Sequence, residues 1–204
     1  MYKEFQMKRI IVATQNKGKV KEIKEILEGL PVEVLTMNEA GIEIDIEENG
    51  STFEENAKIK AEAVSNLTDA LVLADDSGLE IDCLNKEPGV YSARYLGEDT
   101  PYTIKNQMIL ERLKDIPKAQ RTARFACAIA LAEKGKETII TYATIEGYIG
   151  NHAEGENGFG YDPIFFVDEL GTSTANISLE AKNEISHRAK ALRAMVNKIK
   201  ERLK

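Results

Sequence analysis

The amino-acid sequence predicts a mixed α/β protein, and three apolar patterns support this prediction. The run RIIVA (residues 9–13) is typical of a strand covered on both faces, and LVLA (71–74) is a second such run. Between them, apolar residues recur at helical spacing. Residues 121–131 and 137–149 resemble two long strands joined by EKGKE, which predicts an antiparallel hairpin. This order indicates a mixed sheet with more than one helical layer.

The first third of the chain is expected to contain two helices and a second strand. Apolar residues at helical spacing predict the first helix: Val20, Ile23, Leu27 and Leu30. Gly29-Leu30-Pro31 is a helix end. In GIEIDIEENG (41–50), isoleucines alternate with acidic residues, which predicts a half-buried strand ending at Asn49-Gly50. Thr52 and Glu55 form a capping-box pattern, so a second helix is expected there.

The remaining elements follow from turn signals and periodicity. The run at 71–74 stops at ADDSG, and LEIDCL (79–84) alternates like another strand. Thr100-Pro101 is typical of a helix start, with threonine as the cap and proline as the first helical residue. A glycine-rich loop (151–163) precedes the strand IFFV. The last helix has one apolar face, made by Leu192, Met195, Val196, Ile199 and Leu203.

Composition limits the classes of partner. The chain has 204 residues, of which 43% are hydrophobic and 30% charged, as expected of one soluble globular domain over residues 1–204. The net charge of −7 disfavours a nucleic acid polymer or an anionic membrane as partner. No membrane span or secretory signal is predicted, and residues 1–6 are interpreted as an N-terminal extension ahead of Met7. Cys83 and Cys127 are expected to be buried free thiols, which suits a reducing cytoplasm.

The first candidate site is the loop Thr14-Gln15-Asn16-Lys17-Gly18-Lys19, between a buried strand and a helix N-terminus. Lysines at the positive end of a helix are unfavourable unless they are solvated or face an anion. Phosphates bind at such helix ends, although the spacing matches neither a Walker A loop nor a dinucleotide fingerprint. The alternative is a solvated lysine-rich helix.

Acidic residues form the second and third candidate sites. Asp75 and Asp76 follow a buried strand, where open α/β sheets place active sites, and adjacent carboxylates can bind a divalent metal. The alternative is a turn, because Asp, Ser and Gly are common turn residues. Glu47 is either solvent-exposed or completes a metal site with one of these aspartates.

Two further segments have residues suited to binding a nucleotide. In GFGYDP (158–163), Phe159 can stack on a base, or it can plug a hairpin loop. In KNEISHRAKALR (182–193), basic side chains can contact phosphate and base, and Ser186 can cap the last helix; the alternative is an ordinary basic helix start. No Ser-His-Asp arrangement or zinc-ligand spacing is present.

Together these segments resemble the inosine triphosphate pyrophosphatase family, also called Ham1-like or non-standard purine nucleoside triphosphatases. Six stretches carry the resemblance, in the order of the family: ATQNKGKVKEI, TFEENAKIKA, ADDSGLEID, PGVYSARYLG, GFGYDPIFF and ISHRAKAL. The resemblance extends from about residue 9 to residue 195, nearly the whole chain.

The resemblance implies an α/β fold with an elongated mixed β-sheet, flanking helices and two lobes around a central substrate cleft. It implies hydrolysis of ITP, dITP or XTP to the monophosphate and pyrophosphate, with Mg²⁺ as cofactor, by a cytoplasmic homodimer. Asp76 would be the general base and would hold the metal with Glu47, while Asp75 would be a supporting carboxylate. The implied substrate-binding residues are Thr14, Gln15, Asn16, Lys17, Gly18, Lys19, Ser77, Phe159, Gly160, Tyr161, Asp162, Lys182, His187 and Arg188.

Two other functional classes remain open at this point. A general triphosphatase or a Maf-like pyrophosphatase would act on other nucleotides, although the Maf-like proteins share the general fold without this set of motifs. A regulatory module would bind a nucleotide without hydrolysing it, and such a module needs no carboxylate base.

Overall fold

The computed structural model describes residues 7–204, so the N-terminal extension predicted at residues 1–6 lies outside the described residues. The strands are β1 (Lys8–Val12), β2 (Val32–Thr36), β3 (Leu71–Ile81), β4 (Thr122–Ala132), β5 (Ile139–Ile149), β6 (Phe165–Val167) and β7 (Thr172–Ser173). The helices are α1 (Lys17–Ile26), α2 (Phe53–Ser65), α3 (Tyr102–Leu113), α4 (Leu179–Ile185) and α5 (His187–Leu203). Within the described part of the chain, no helix is both long and apolar enough to cross a membrane.

The strands form one seven-stranded mixed sheet, in the order β2-β1-β3-β4-β5-β6-β7. β1 is parallel to both β2 and β3, whereas β6 is antiparallel to β5 and β7. β4 and β5 are sheet neighbours joined by a short connection, as the predicted hairpin requires. The mixed α/β prediction is therefore confirmed.

The chain divides into two compact units by the density of its contacts. Unit 1 comprises the described residues up to 76 with residues 128–142 and 191–204, and unit 2 comprises residues 77–127 and 143–190. The apolar face predicted for the last helix is buried within unit 1 at Leu192, Met195 and Ile199. Unit 2 has its own core, to which β3, α3, β4, β5 and β6 all contribute.

The strand predicted at residues 41–50 is wrong, because residues 42–50 have no helix or strand assigned. Their burial still alternates, with the isoleucines half-buried and the acidic residues from Glu43 to Glu47 exposed. An alternation of apolar and polar residues indicates an extended chain with two different faces. It does not require that the chain be hydrogen-bonded to a neighbouring strand. The chain between α1 and α2 does contain a strand, namely β2, which pairs with β1 and whose sequence VEVLT was not interpreted as a strand.

The strand end predicted at ADDSG is also wrong, and so is the alternative of a turn there, since β3 continues without interruption through Asp75, Asp76, Ser77 and Gly78. Of the strand predicted at 79–84, only residues 79–81 are extended, as the end of β3, and Asp82–Leu84 form a 3₁₀ turn. As a result Cys83 is exposed, contrary to the prediction, whereas Cys127 is buried, and neither of these two cysteines forms a disulfide.

Two predicted helix starts differ in detail. The Thr52 side chain accepts a hydrogen bond from the Glu55 N–H, as in a capping box, but the Glu55 carboxylate accepts from Ser51. At α3, Pro101 is the N-cap residue, and the Thr100 hydroxyl donates to the carbonyl of Leu96. Pro101 has no N–H to donate, so it fits the cap as well as the first helical position.

Arg121 is predicted to contribute more to the stability of unit 2 than an exposed arginine such as Arg112 does. Its buried guanidinium donates to the carbonyls of Ile116, Lys114 and Gly150 at 2.7, 3.3 and 3.0 Å. Arg121→Met leaves these carbonyls without that donor, so the free energy of unfolding should fall by about 3 kcal/mol in urea denaturation. The matched control is Arg112→Met, whose ion pair with Glu87 is exposed and should contribute about 1 kcal/mol or less. Equal effects of the two substitutions would contradict this prediction.

Candidate active site

The predicted phosphate loop lies between β1 and α1, and Asn16 caps the helix. The Asn16 Oδ1 atom accepts from the N–H groups of Gly18 and Lys19 at 2.9 and 3.1 Å, and the Thr14 hydroxyl accepts from the Asn16 N–H. Two of the N–H groups that a phosphate would use are therefore already bonded to Asn16. The side chains of Lys17 and Lys19 remain the main cationic groups of the loop.

The charge of Lys19 at the helix start is balanced by Asp75. The Lys19 ammonium forms an ion pair with the Asp75 carboxylate, which is fully buried in β3. The interpretation of Lys19 as merely a solvated lysine is therefore wrong. Lys24, which lies further along α1, pairs with the exposed Glu39.

Lys60 is a central residue of this site that the sequence analysis missed. Its ammonium donates to Glu48 Oε2 at 2.8 Å and to Asp76 Oδ1 at 3.0 Å, and only 8% of the residue is exposed. The signal was present in the sequence, because Lys60 lies within the stripe of α2 that also buries Ala57 and Val64. A lysine on the apolar face of a helix requires a buried anionic partner.

The electrostatic environment makes Asp76 a stronger base than an exposed aspartate. Burial raises the pKa of the Asp76 carboxyl, although the charges of Lys60 and Lys19 act in the opposite direction. Burial also acts to raise the pKa of Glu48, but Lys60 outweighs it and holds that pKa below its usual value. For Lys60 itself, burial acts to lower the pKa, and the two carboxylates outweigh it and raise that pKa.

The residues around Asp76 include oxygen atoms of the kind that could bind a hard cation such as Mg²⁺. Asp76 Oδ2 is buried and has no hydrogen-bond partner among the described residues, so one hard oxygen ligand is available. No group of three or more His, Cys, Asp or Glu residues gathers as a metal cage within residues 7–204. Mg²⁺ commonly uses one or two carboxylates and takes its other ligands from water and substrate phosphates. The acidic residue joined to Asp76 through Lys60 is Glu48, whereas Glu47, the predicted ligand, is exposed.

Within unit 2, Asp162 organises the predicted base-binding loop. Its Oδ2 atom accepts from the Phe159 N–H at 2.8 Å and from Lys182 at 2.6 Å, and its Oδ1 atom accepts from the Thr174 hydroxyl at 2.9 Å. Gly158 has a positive φ of 72°, and a Cβ there would lie 2.2 Å from Asp162 Oδ2. The Asp162 side chain therefore fixes the loop and Lys182.

Phe159 lies beside two cations in the same unit. The ammonium of Lys182 is 4.8 Å from the centre of the half-buried Phe159 ring, and the Arg188 guanidinium carbon is 5.7 Å from it. Arg188 donates to the Ser77 hydroxyl at 2.9 Å, and only 2% of the arginine is exposed. The fold thus brings together four of the predicted substrate-binding residues, Ser77, Phe159, Lys182 and Arg188.

His187 and Tyr161 are both packed inside unit 2. The His187 imidazole stacks on the Phe125 ring, with 5.0 Å between the ring centres. The Tyr161 hydroxyl donates to the carbonyl of Ser92 at 2.8 Å, so this side chain supports the loop from inside. Ser186 caps α5 as predicted, because its hydroxyl accepts from the Ala189 N–H. The alternative of an ordinary solvated basic helix start is wrong, since Lys182, His187 and Arg188 are all buried.

Comparison with known proteins gives a consistent family. The model of the Ham1 family matches residues 10–198. A dITP/XTP pyrophosphatase of Bacillus subtilis is 51% identical over 189 residues, covering 93% of this chain and 96% of the relative. A dITP/XTP pyrophosphatase of Thermoanaerobacter sp. is 48% identical, covering 96% of this chain and 98% of the relative.

Solved structures agree with the sequence relatives. The Staphylococcus aureus Ham1 protein superposes with a TM-score of 0.85 at 40% identity, covering 96% of this chain and all of the other. A HAM1 protein from Coxiella burnetii has a TM-score of 0.86 at 41% identity, with the same coverage. The resemblance inferred from six short stretches is thereby confirmed over nearly the whole chain, and the chain belongs to the Ham1 family.

Proposed function

We propose that this protein hydrolyses deaminated purine nucleoside triphosphates, namely dITP, XTP and ITP, to the monophosphate and pyrophosphate. The observation that carries the proposal is the buried carboxylate of Asp76, which Lys60 holds at Oδ1 and which has an unpartnered Oδ2 among the described residues. Relatives 51% and 48% identical to this chain are dITP/XTP pyrophosphatases, which supports the same substrate class here. Such an enzyme removes deaminated nucleotides from the nucleotide pool.

Asp76 acts as the general base in the proposed mechanism. A water at Oδ2 is oriented for attack on phosphorus, and Asp76 takes its proton as the new P–O bond forms. The bond from that phosphorus to the bridging oxygen breaks, and attack at the α-phosphorus releases pyrophosphate. The raised pKa of Asp76 favours this proton transfer, because a more basic carboxylate accepts the proton more readily.

Mg²⁺ is the proposed cofactor, and Glu48 and Asp76 are the residues that would hold it. When bound, it supplies positive charge to the phosphate oxygens and favours ionisation of water. Lys19 and Lys60 provide further positive charge on the protein side, and both now neutralise carboxylates. An ammonium group has three N–H donors, so each lysine can contact a phosphate oxygen while it keeps its carboxylate partner.

Base selection is assigned to the residues around Phe159. The Phe159 ring stacks on the purine, and Arg188 donates a hydrogen bond to the oxygen at position 6 of hypoxanthine or xanthine, with His187 as the second candidate donor. Adenine has an amino group at that position, so a donor would face a donor in a buried site, which is unfavourable. The contact of Arg188 with Ser77 fixes the guanidinium for this role.

Two further parts of the proposal rest on the family resemblance alone. We propose that the protein is a homodimer and that it works in the cytoplasm. Light scattering of the purified protein measures the mass directly, and a mass of one chain, 22.7 kDa, would contradict the dimer.

The proposed function predicts a defined pattern of substrates and products. Purified protein with Mg²⁺ should hydrolyse ITP, dITP and XTP with pyrophosphate as product, and it should turn over ATP at least about 100-fold more slowly. Separate assays for pyrophosphate and orthophosphate identify the bond that breaks. Orthophosphate as the only inorganic product would indicate a general triphosphatase. A preference for modified pyrimidine nucleotides would indicate a Maf-like enzyme, and nucleotide binding without turnover would indicate a regulatory module.

Asp76→Asn is predicted to reduce kcat by at least about 100-fold, because the amide has the shape of the carboxylate but does not accept the proton from water. The measurement is the steady-state rate of pyrophosphate release from ITP, with circular dichroism to show that the variant is folded. A folded variant with the rate of the wild type would remove Asp76 as the base.

Lys19→Ala is predicted to raise KM for ITP by about tenfold or more, because a charge-assisted contact to phosphate is lost. It should also lower the thermal unfolding midpoint, since Asp75 remains buried without its cation. Lys24→Ala is the matched control on the same helix, and it should change neither KM nor the midpoint substantially, because its pair with Glu39 is exposed. If both variants bind ITP alike, the loop is not the phosphate site.

A further inference from the structure

We propose that Asn106 of α3 is a positioning residue for the loop Phe159–Asp162 and thereby sets the affinity for the purine base. This inference deepens the proposed function and rests on it. Asn106 is 5% exposed, and its Nδ2 atom donates to the carbonyl of Gly160 at 3.1 Å. Gly160 follows Phe159 directly, so the hydrogen bond fixes the chain one residue beyond the stacking ring.

Phe159 is held from both sides of its own backbone. On one side its N–H donates to Asp162 Oδ2 at 2.8 Å, and on the other Asn106 holds the carbonyl of Gly160. With both points fixed, the ring keeps only its side-chain torsions as freedom. A base that stacks on a ring already fixed in this way loses less conformational entropy than one that must first order the loop.

Neighbouring residues of α3 hold the same region. The Tyr102 ring meets the Tyr161 ring edge to face, with 5.1 Å between centres, and lies 3.6 Å from where a Cβ of Gly160 would be. The Lys105 ammonium donates to the carbonyl of Ala93 at 2.6 Å, beside Ser92, which accepts from the Tyr161 hydroxyl. The first half of α3 therefore contacts the loop directly through Tyr102 and Asn106, of which Asn106 provides the hydrogen bond to the turn itself. Lys105 instead holds the neighbouring segment that the Tyr161 hydroxyl also contacts.

Stability alone does not account for an amide at this position. The Asn106 Oδ1 atom is buried and has no hydrogen-bond partner among residues 7–204. A buried acceptor without a partner costs free energy, and this cost offsets the modest gain from the single bond to Gly160. An apolar side chain of the same size would avoid the cost, so the distinct contribution of Asn106 is the fixed position of the Gly160 carbonyl.

The test compares ligands that probe the two ends of the substrate separately. Calorimetric titration measures binding of inosine monophosphate, which carries the purine base, and of inorganic pyrophosphate, which has no base to stack on Phe159. Asn106→Leu should raise the Kd of inosine monophosphate about tenfold, the equivalent of losing one net hydrogen bond, while the Kd of pyrophosphate changes less than twofold. In steady-state assays with ITP, the loss should fall on KM with kcat nearly retained.

Asn106→Asp is the second variant, because it keeps the shape and places an oxygen against the Gly160 carbonyl in place of the donor. The Kd of Asn106→Asp for inosine monophosphate should rise at least as much as that of Asn106→Leu. If the Asn106→Leu protein does not fold, Asn106→Asp is used in its place. The control is Leu113→Ala, a buried cavity-forming change two turns further along α3, which should lower the unfolding midpoint without changing the ratio of the two Kd values.

Two outcomes would overturn the proposal. The first is that inosine monophosphate binds the folded Asn106 variants as tightly as it binds the wild type. The second is that the binding of both ligands weakens by the same factor, which would indicate a general structural role. The activity of the wild type on ITP is measured independently. A wild type that does not hydrolyse ITP would refute the proposed function. The role of Asn106 is tested separately: an increase in the ratio of the Kd of inosine monophosphate to that of pyrophosphate in the variants supports it, and an unchanged ratio refutes it.

Discussion

The fold of unit 1 depends on burying two adjacent aspartates in the middle of a strand. Asp75 and Asp76 lie within β3, and successive side chains of a strand point to opposite faces of the sheet. Each therefore needs its own cation, and each has one, Lys19 from α1 and Lys60 from α2. Without these partners, each buried carboxylate would cost several kcal/mol. The two ion pairs thus tie both helices to the strand that carries the proposed base.

This pairing also explains why local sequence rules fail at ADDSG. Asp, Ser and Gly favour turns because their side chains satisfy nearby backbone groups or relieve steric limits. In β3 those side chains have stronger partners from distant parts of the chain, so the backbone stays extended through Gly78. A turn at this point would have placed the carboxylates in water, where neither a raised pKa nor a buried lysine pair would arise.

The sequence predicts the elements better than their contacts. Periodicity identifies α1, α2, the hairpin and the last helix, because one face of each is buried in a core. Periodicity does not separate Glu47 from Glu48, since the two are adjacent in the same acidic segment. They differ only in the folded chain, where Glu48 forms an ion pair with Lys60. Lys60 could have been found by asking which anion accompanies a lysine in an apolar stripe, but its partners, 12 and 16 residues away, are a property of the folded chain.

The two groups of proposed site residues are prepared for a ligand in different ways. Around Phe159 the polar side chains already satisfy one another, as Asp162 does with Lys182 and Thr174, and so their geometry is set before a base arrives. Around Asp76 the cations are paired with buried carboxylates, and Oδ2 is left without a partner among the described residues. Fixed geometry suits recognition of a neutral base by shape and hydrogen bonds, because a mismatched group then has nowhere to move. Such lysines suit a polyanion, because each ammonium still has an N–H to donate and no buried carboxylate has to lose its cation when the phosphate binds.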